Sequence, residues 1–384
     1  MKFILIVYRR LLKVLWERWV NSSGQVVDRN SLIQKYQVNN YSIEQAVSFH
    51  GRTHNFYPKK FEKKFGWLND YKKTQRIDKP FYVNIRNAEL RGKRCLAIDC
   101  NGSLILESSG NSLGYLLRSG DAKYVMFPGL FKASKSVGSA FSLVDSLSLN
   151  YYHWVNDLLP MLEAYEVFER LTHERPKIII DNDAPNYQYE FLEALGFGSE
   201  IFTWTSNRSK VDSLLVTSRR YLQVPSEDPK WAKTHILSKA GFDWLRNRLP
   251  RSTKLNKRIY VSRSDAGGRK VVNEIELLRM LEEYRFDMVI LSNMKVLDQI
   301  QLFQEASIVV TAHGAALTNT IFSDSLDVVE LFPERRYTES TSTFYQIAHY
   351  YGHQYHVVAC QQTENENIIV DIHLVKEIVS KILE

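Results

Sequence analysis

Four groups of residues in this chain have the types and spacing to do chemistry. The run Thr311-Ala312-His313-Gly314-Ala315-Ala316-Leu317-Thr318-Asn319 sets a small-residue turn between an apolar strand pattern and a helical one. The free N–H groups and positive dipole of a helix start favour an anion there. Gly314 and the two alanines let the backbone come close to a ligand, and His313 can donate to a phosphate or ribose oxygen. Packing alone also selects small residues at such corners. Arg263 and Arg269 bracket a Gly-containing loop directly after another strand pattern. Two guanidinium groups on one loop can close on a diphosphate through bidentate, charge-assisted bonds; a solvated surface loop is the plain alternative. His153 and Asp157 stand four apart and so share a helix face. Either can act as general base on a hydroxyl, although a helix-surface hydrogen bond would need nothing more. Asp181-Asn182-Asp183, after the apolar run 177–180, has the form that holds a divalent cation on a diphosphate. It equally suits the first turn of a helix.

The elements that must position these groups can be read from hydrophobic period. Strand patterns occur at 81–86 and on both sides of Asn101-Gly102, which reads as a hairpin turn. Residues 25–80 otherwise read as short helices and loops, with a Lys-rich patch at 59–64. From about 151, helix and strand alternate: helix 153–171 with an interruption at Pro160, strand 177–180, helix 186–196, strand 214–218 and helix 228–248. The segment 249–257 breaks both periods and reads as a domain boundary. After it come strand 258–262, helix 273–284, strand 286–291, helix 295–305, strand 307–311, helix 315–322, strand 327–332, helix 340–350 and strand 354–358. Short apolar strands between helices of this length make βαβ units and a parallel, doubly wound sheet. Asn273 with Glu276 would cap helix 273–284, so Asn273 and Glu274 also have a structural reading.

At 384 residues the chain has room for two domains. A net charge of +7 suits an anionic partner, but no basic run, zinc-finger spacing or aromatic RNA-binding signature is present, which argues against nucleic acid. Three cysteines fit neither a disulfide framework nor a zinc site and suit a reducing compartment. Residues 3–20 are apolar but contain Arg9, Arg10, Lys13, Glu17 and Arg18, too many charges for a spanning helix. As a helix they are amphipathic, with Arg18 alone falling in the apolar half. A helix lying in a membrane interface and one packed on the protein's own core both fit.

Taken together and in order, these stretches resemble glycosyltransferase family 61, which includes bacterial capsule and lipopolysaccharide enzymes. The matching residues are His153-Trp154, Asp157, Leu159-Pro160, Tyr260-Val261-Ser262-Arg263, Arg269, Asn273-Glu274, Leu302-Phe303, His313-Gly314-Ala315, Leu317-Thr318-Asn319, Val329-Glu330-Leu331 and Pro333. They span about residues 140–358; one departure is Ala316, where a second Gly would be more usual. The resemblance implies an α/β, GT-B-like fold of two Rossmann-like domains facing a central cleft, inversion at the anomeric carbon, and no metal or other cofactor. It implies a nucleotide-sugar donor in the C-terminal half and a glycan or lipid-linked glycan acceptor in the N-terminal half. Arg263, Arg269, His313, Gly314 and Ala315 would hold the diphosphate. Thr318, Asn319, Glu330, Asn273 and Glu274 would meet the nucleoside or donor. Asp157 would be the base, with His153 the second choice. The expected domains are the helix 1–24, an acceptor-side α/β domain 25–250, and a nucleotide-sugar domain 251–384 whose last helix can return to the N-terminal one. The expected role is transfer in capsular or cell-surface polysaccharide synthesis, at the cytoplasmic face of the membrane and held there through residues 1–20. A nucleotide-sugar epimerase of similar fold and a non-catalytic, nucleotide-binding or scaffolding component of an envelope-glycan assembly complex are the alternatives.

Overall fold

The computed structural model describes residues 2–22, 24–41, 45–50, 54–56, 72–109, 113–225, 233–334 and 343–384. The Lys-rich patch at 59–64 lies outside them. The chain divides into two compact units, Met1–Glu44 with Lys79–Arg220, and Gln45–Asp78 with Tyr221–Glu384.

The first unit is built on a mixed sheet. Its spine is β1 (Phe81–Arg91), followed in the sequence by β2 (Ser139–Ser142), β3 (Lys177–Asp181), β4 (Ile201–Trp204) and β5 (Arg208–Thr217). Strand β5 pairs antiparallel with β1 and parallel with β2, and β3 and β4 continue the parallel part. On the other side of β1 lie Leu96–Ile98 and Leu104–Ile105, an antiparallel pair turning at Gly102 with φ +83°. The Asn-Gly hairpin thus forms where its residues predict. The parallel, doubly wound pattern is confined to β2–β5, however, because β1 pairs antiparallel with β5 and a tight turn joins it to Leu96–Ile98.

Helix α1 (Lys2–Val20) belongs to this unit. Leu12 and Trp16 are buried, Trp16 in one cluster with Leu96, Ile98, Leu104, Leu116, Ala122 and Val125. Over residues 10–20 the reading in which the helix packs on the protein's own core therefore holds. Arg10, Leu11, Lys13, Val14, Glu17 and Arg18 face outward, so Arg18 leaves the apolar side as its charge demands. Among the described residues, no helix is long and apolar enough to cross a membrane.

The second unit follows the predicted alternation closely. Its parallel strands are β6 (Lys257–Val261), β7 (Asp287–Val289), β8 (Ala306–Ala312), β9 (Asp327–Pro333) and β10 (Gln354–Gln362), laid side by side as β7-β6-β8-β9-β10. Strands covered on both faces read as continuous apolar runs, and Ile308, Val309, Val310, Val328 and Val329 are each 2% exposed or less. Helix α2 (Glu274–Glu283) packs Leu277, Met280 and Leu281 into the same cluster as Val375, Ile378 and Val379 of α3 (Ile372–Leu383). The last helix thus stays with its own unit rather than returning to the first.

Three further expectations change. The expected boundary near 250 is displaced to 220/221. Residues 221–248 are held in the second unit, where Gln346 bonds the main chain of His235 and Leu237, and Arg246 donates to the carbonyls of Ile321 and Ser323. Residues 233–237 are a strand paired with Tyr221–Pro225, not helix, and the helix starts only at Lys239, where Ser238 caps it. Much of the expected loop region at 25–80 is extended too: His54–Phe56 joins β10 in parallel, and Gln45–His50 pairs with Lys72–Ile77.

Candidate functional site

Among β6 to β10, taken in chain order, the strands are laid as second, first, third, fourth, fifth, so strand addition reverses between β6 and β8. Ligands of open α/β sheets bind outside the carboxyl ends at such a switch point. Arg263 leaves β6 there, and His313-Gly314 leaves β8. A side chain on Gly314 would put its Cβ 2.0 Å from Arg263 Nη1 and 2.8 Å from Cζ. Gly314 is extended, with φ 171°, so glycine is required by space and not by backbone strain. The guanidinium lies where a side chain would be.

The two sequence motifs therefore meet around one cation. Arg263 Nη2 donates to Gly268 O at 3.3 Å, while its Nε is buried with no partner among the described residues. Burial pushes the guanidinium pKa down, and Asp265 pushes back. Arginine nevertheless stays charged, so this group is a half-buried cation with unspent donors. Beside it begins the helix Ala315–Phe322, which is 3-10 rather than α. Arg269 closes the loop with left-handed backbone, φ +58°, and Lys270 Nζ ties the loop to Ser264 O at 2.7 Å.

His313 is fixed by Glu330. Its Nδ1 lies 2.6 Å from Glu330 Oε1, and its ring packs on Phe332 and Phe344. A carboxylate only accepts, so Nδ1 carries the hydrogen and Nε2 is the nitrogen left for a ligand. Glu330 is 1% exposed and also accepts from Tyr355 OH. Both its oxygens are engaged, so it orients His313 instead of meeting ribose or base.

Asn273, Glu274 and Asn319, also expected at the nucleoside, are bonded within the protein as well. Asn273 does not cap α2 but bonds the main chain of Val370 in both directions, at 2.9 and 3.0 Å. Glu274 Oε1 accepts from Tyr260 OH and Ser262 Oγ. Thr318 and Asn319 are fully buried, and Asn319 donates to Gln299. Exchanging Gly314 for Ala should displace the Arg263 guanidinium. We expect at least about tenfold weaker diphosphate binding with melting temperature little changed, since the group displaced is the far end of a flexible side chain; calorimetric titration and a melt measure both.

In the first unit, the helix that carries His153 and Asp157 changes pitch three times. Asn150 caps it by accepting from Tyr152 N, and Tyr151–His153 is α. Trp154–Leu158 is a π turn closed by Leu159 N–H to Trp154 O, Leu159–Met161 is 3-10, and α helix resumes at Leu162. Pro160 has no N–H and would crowd the carbonyl of Asn156 in a regular helix; the widened turn relieves that. Such π insertions frequently mark functional positions.

His153 Nδ1 meets Asp157 Oδ2 at 2.7 Å across this turn. Asp157 is 5% exposed, and its Oδ1 is buried with no hydrogen-bond partner among the described residues. Burial lowers the His153 pKa, but the hydrogen bond and charge of Asp157 raise it more, so the net shift is upward. A buried ion pair of Asp145 and Arg219, 3.0 Å apart, contributes to the same field with opposing signs. That pair escaped sequence reasoning; the polar run Thr217-Ser218-Arg219-Arg220 at the end of an apolar strand was its only signal.

The rival metal reading loses its first ligand. Asp181 is buried, held by Arg94 at 3.1 Å and by Ser148 Oγ. Burial raises its pKa against the lowering effect of Ser148 and Arg94. Among the described residues no group of His, Cys, Asp and Glu is arranged to hold a metal ion.

Comparison with known families adds one finding: residues 151–329 match the family described as Glycosyltransferase 61. That stretch begins just before His153 and contains Arg263 and the His313-Gly314 turn. A search of curated proteins gave no match.

Proposed function

Residues 151–329 are a glycosyltransferase family 61 domain, and on that premise we propose an inverting, metal-independent, GT-B-type transferase. It would move a hexosyl or pentosyl unit from a nucleotide sugar to a glycan or lipid-linked acceptor in cell-surface polysaccharide synthesis. The observation that carries the donor half is the Arg263 guanidinium seated on Gly314 at the strand switch point.

The acceptor oxygen attacks the anomeric carbon and gives its proton to Asp157, whose Oδ1 has no partner among the described residues. The bond to the nucleotide diphosphate breaks, and the leaving group takes the electron pair. Its growing charge is met by Arg263 and the first turn of the Ala315–Phe322 helix. Attack from the face opposite the leaving group turns an α-linked donor into a β-linked product.

A thermal-shift screen over nucleoside diphosphates tests the donor site. One nucleotide should stabilise the chain, by about 2.7 kcal/mol at a hundredfold excess over Kd; no response to any at millimolar concentration rejects the reading.

For location we propose peripheral attachment to the inner membrane face through the outer side of α1. Arg10 and Lys13 would meet anionic headgroups beside Leu11 and Val14, which are 57% and 46% exposed. Removing the whole helix would also remove Trp16 from the core. The better test is Arg10→Glu with Lys13→Glu, which should cut co-sedimentation with anionic vesicles several-fold, about 1 kcal/mol per charge; unchanged binding rejects attachment through α1.

A further inference from the structure

A cavity of about 550 Å³ opens in the first unit at the ends of β3 and β4. Its size is ordinary for a small-molecule site, but such sites are mostly apolar, and this one is not. Lys93, Arg94, Asp121, Asp181, Asp183 and Asn207 line it. Donors and acceptors are mixed around one hollow, with three carboxylates against two cations. With Arg94 already paired to Asp181, the cavity does not gather positive charge for a simple anion. A ligand whose many hydroxyls both donate and accept would find partners on every side.

The hollow is also tied to the candidate base. Asp181 in its floor is held by Ser148 Oγ, which lies 3.0 Å from Asp145 O. The Asp145 carboxylate accepts from Leu147 N at 2.7 Å and pairs with Arg219. The same loop ends at Asn150, the cap of the helix that carries His153 and Asp157. Cavity floor and base thus hang on one hydrogen-bonded loop, 145–150, within a single unit.

We propose that this cavity is a saccharide subsite that holds a neutral sugar residue of the acceptor. The assignment to the acceptor rests on the glycosyltransferase reading; the binding of a neutral sugar does not.

Saturation-transfer NMR on the full chain tests it, with the methyl glycosides of glucose, galactose and N-acetylglucosamine as probes and inorganic phosphate as competitor. Asp183 and Asn207 are exposed at the rim, so Asp183→Ala with Asn207→Ala should leave the fold intact, which the melt confirms. At least one glycoside should receive saturation. The double variant should weaken it about fivefold or more, since each lost hydrogen bond is a factor of about two to ten, and phosphate should not displace it. Silence from all three glycosides, undiminished binding by the double variant, or displacement by phosphate would each overturn the proposal. Sugar binding that persists in a chain giving no nucleotide response would reject the glycosyltransferase reading and keep the sugar site.

Discussion

Asp157→Asn abolishes transfer, lowering kcat by about 10² to 10⁴, while the nucleotide response of the donor site stays within about twofold. The substitution keeps the shape of the side chain and an oxygen for the hydrogen bond from His153 Nδ1. What it removes is the negative charge and the capacity to take a proton at Oδ1. A purely structural role for the pair would give a modest, uniform loss instead. A second readout separates the two. His153 is held above its ordinary pKa by the Asp157 hydrogen bond and charge working against burial; with both weakened, burial dominates and the imidazole titrates lower, which NMR follows directly. The sign for stability is fixed by the same linkage. A histidine raised on folding stabilises fully below its unfolded value of about 6.5 and loses that contribution as pH rises through the folded value. The variant's deficit in melting temperature should therefore be larger at acid pH than at pH 8. If His153→Gln proves the more damaging change to kcat, the base is His153 and the assignment reverses.

The second unit was legible because its signals are local. Each strand is a short apolar run, each helix has its own period, and each βα turn is marked by Gly, Ser or Arg, so the positions of β6 to β10 follow from neighbours along the chain. What remained hidden depends on partners far apart in the sequence. Glu330 stands at a strand end in any reading, but only the β8–β9 register, with Thr311 opposite Glu330, shows that its carboxylate is spent on His313. In the sequence Gly314 offers space to a ligand; in the fold that space is filled by Arg263, a residue of another strand's loop. The Asp145–Arg219 pair joins residues with no common local pattern. The strand at 233–237 is five residues long and runs directly into a capped helix, so helical period swallowed it. Asn273 shows the converse case, where a good capping residue is drawn away by the main chain of Val370.

Arg263→Ala should cost the most of any single change in the second unit. A charge-assisted hydrogen bond to phosphate contributes about 1.5–3 kcal/mol, so nucleoside diphosphate affinity should fall by about ten- to a hundredfold. The loss in kcat/KM should be larger, about 10² to 10³, because the diphosphate carries more charge in the transition state than in the donor. Folding stability should hold or improve. The guanidinium is half-buried with Nε unpartnered and its pKa pushed down by burial, which marks a cation that destabilises the empty protein. Arg263→Lys sharpens the test: it keeps the charge but gives up the planar fork. If charge alone matters, lysine restores affinity and rate together. If the guanidinium works by aiming two donors from the space above Gly314, lysine restores part of the affinity and little of the rate. Equal and small effects of both variants on nucleotide binding would mean that this cation serves the loop and not a ligand, and the donor site would have to be sought elsewhere in the chain.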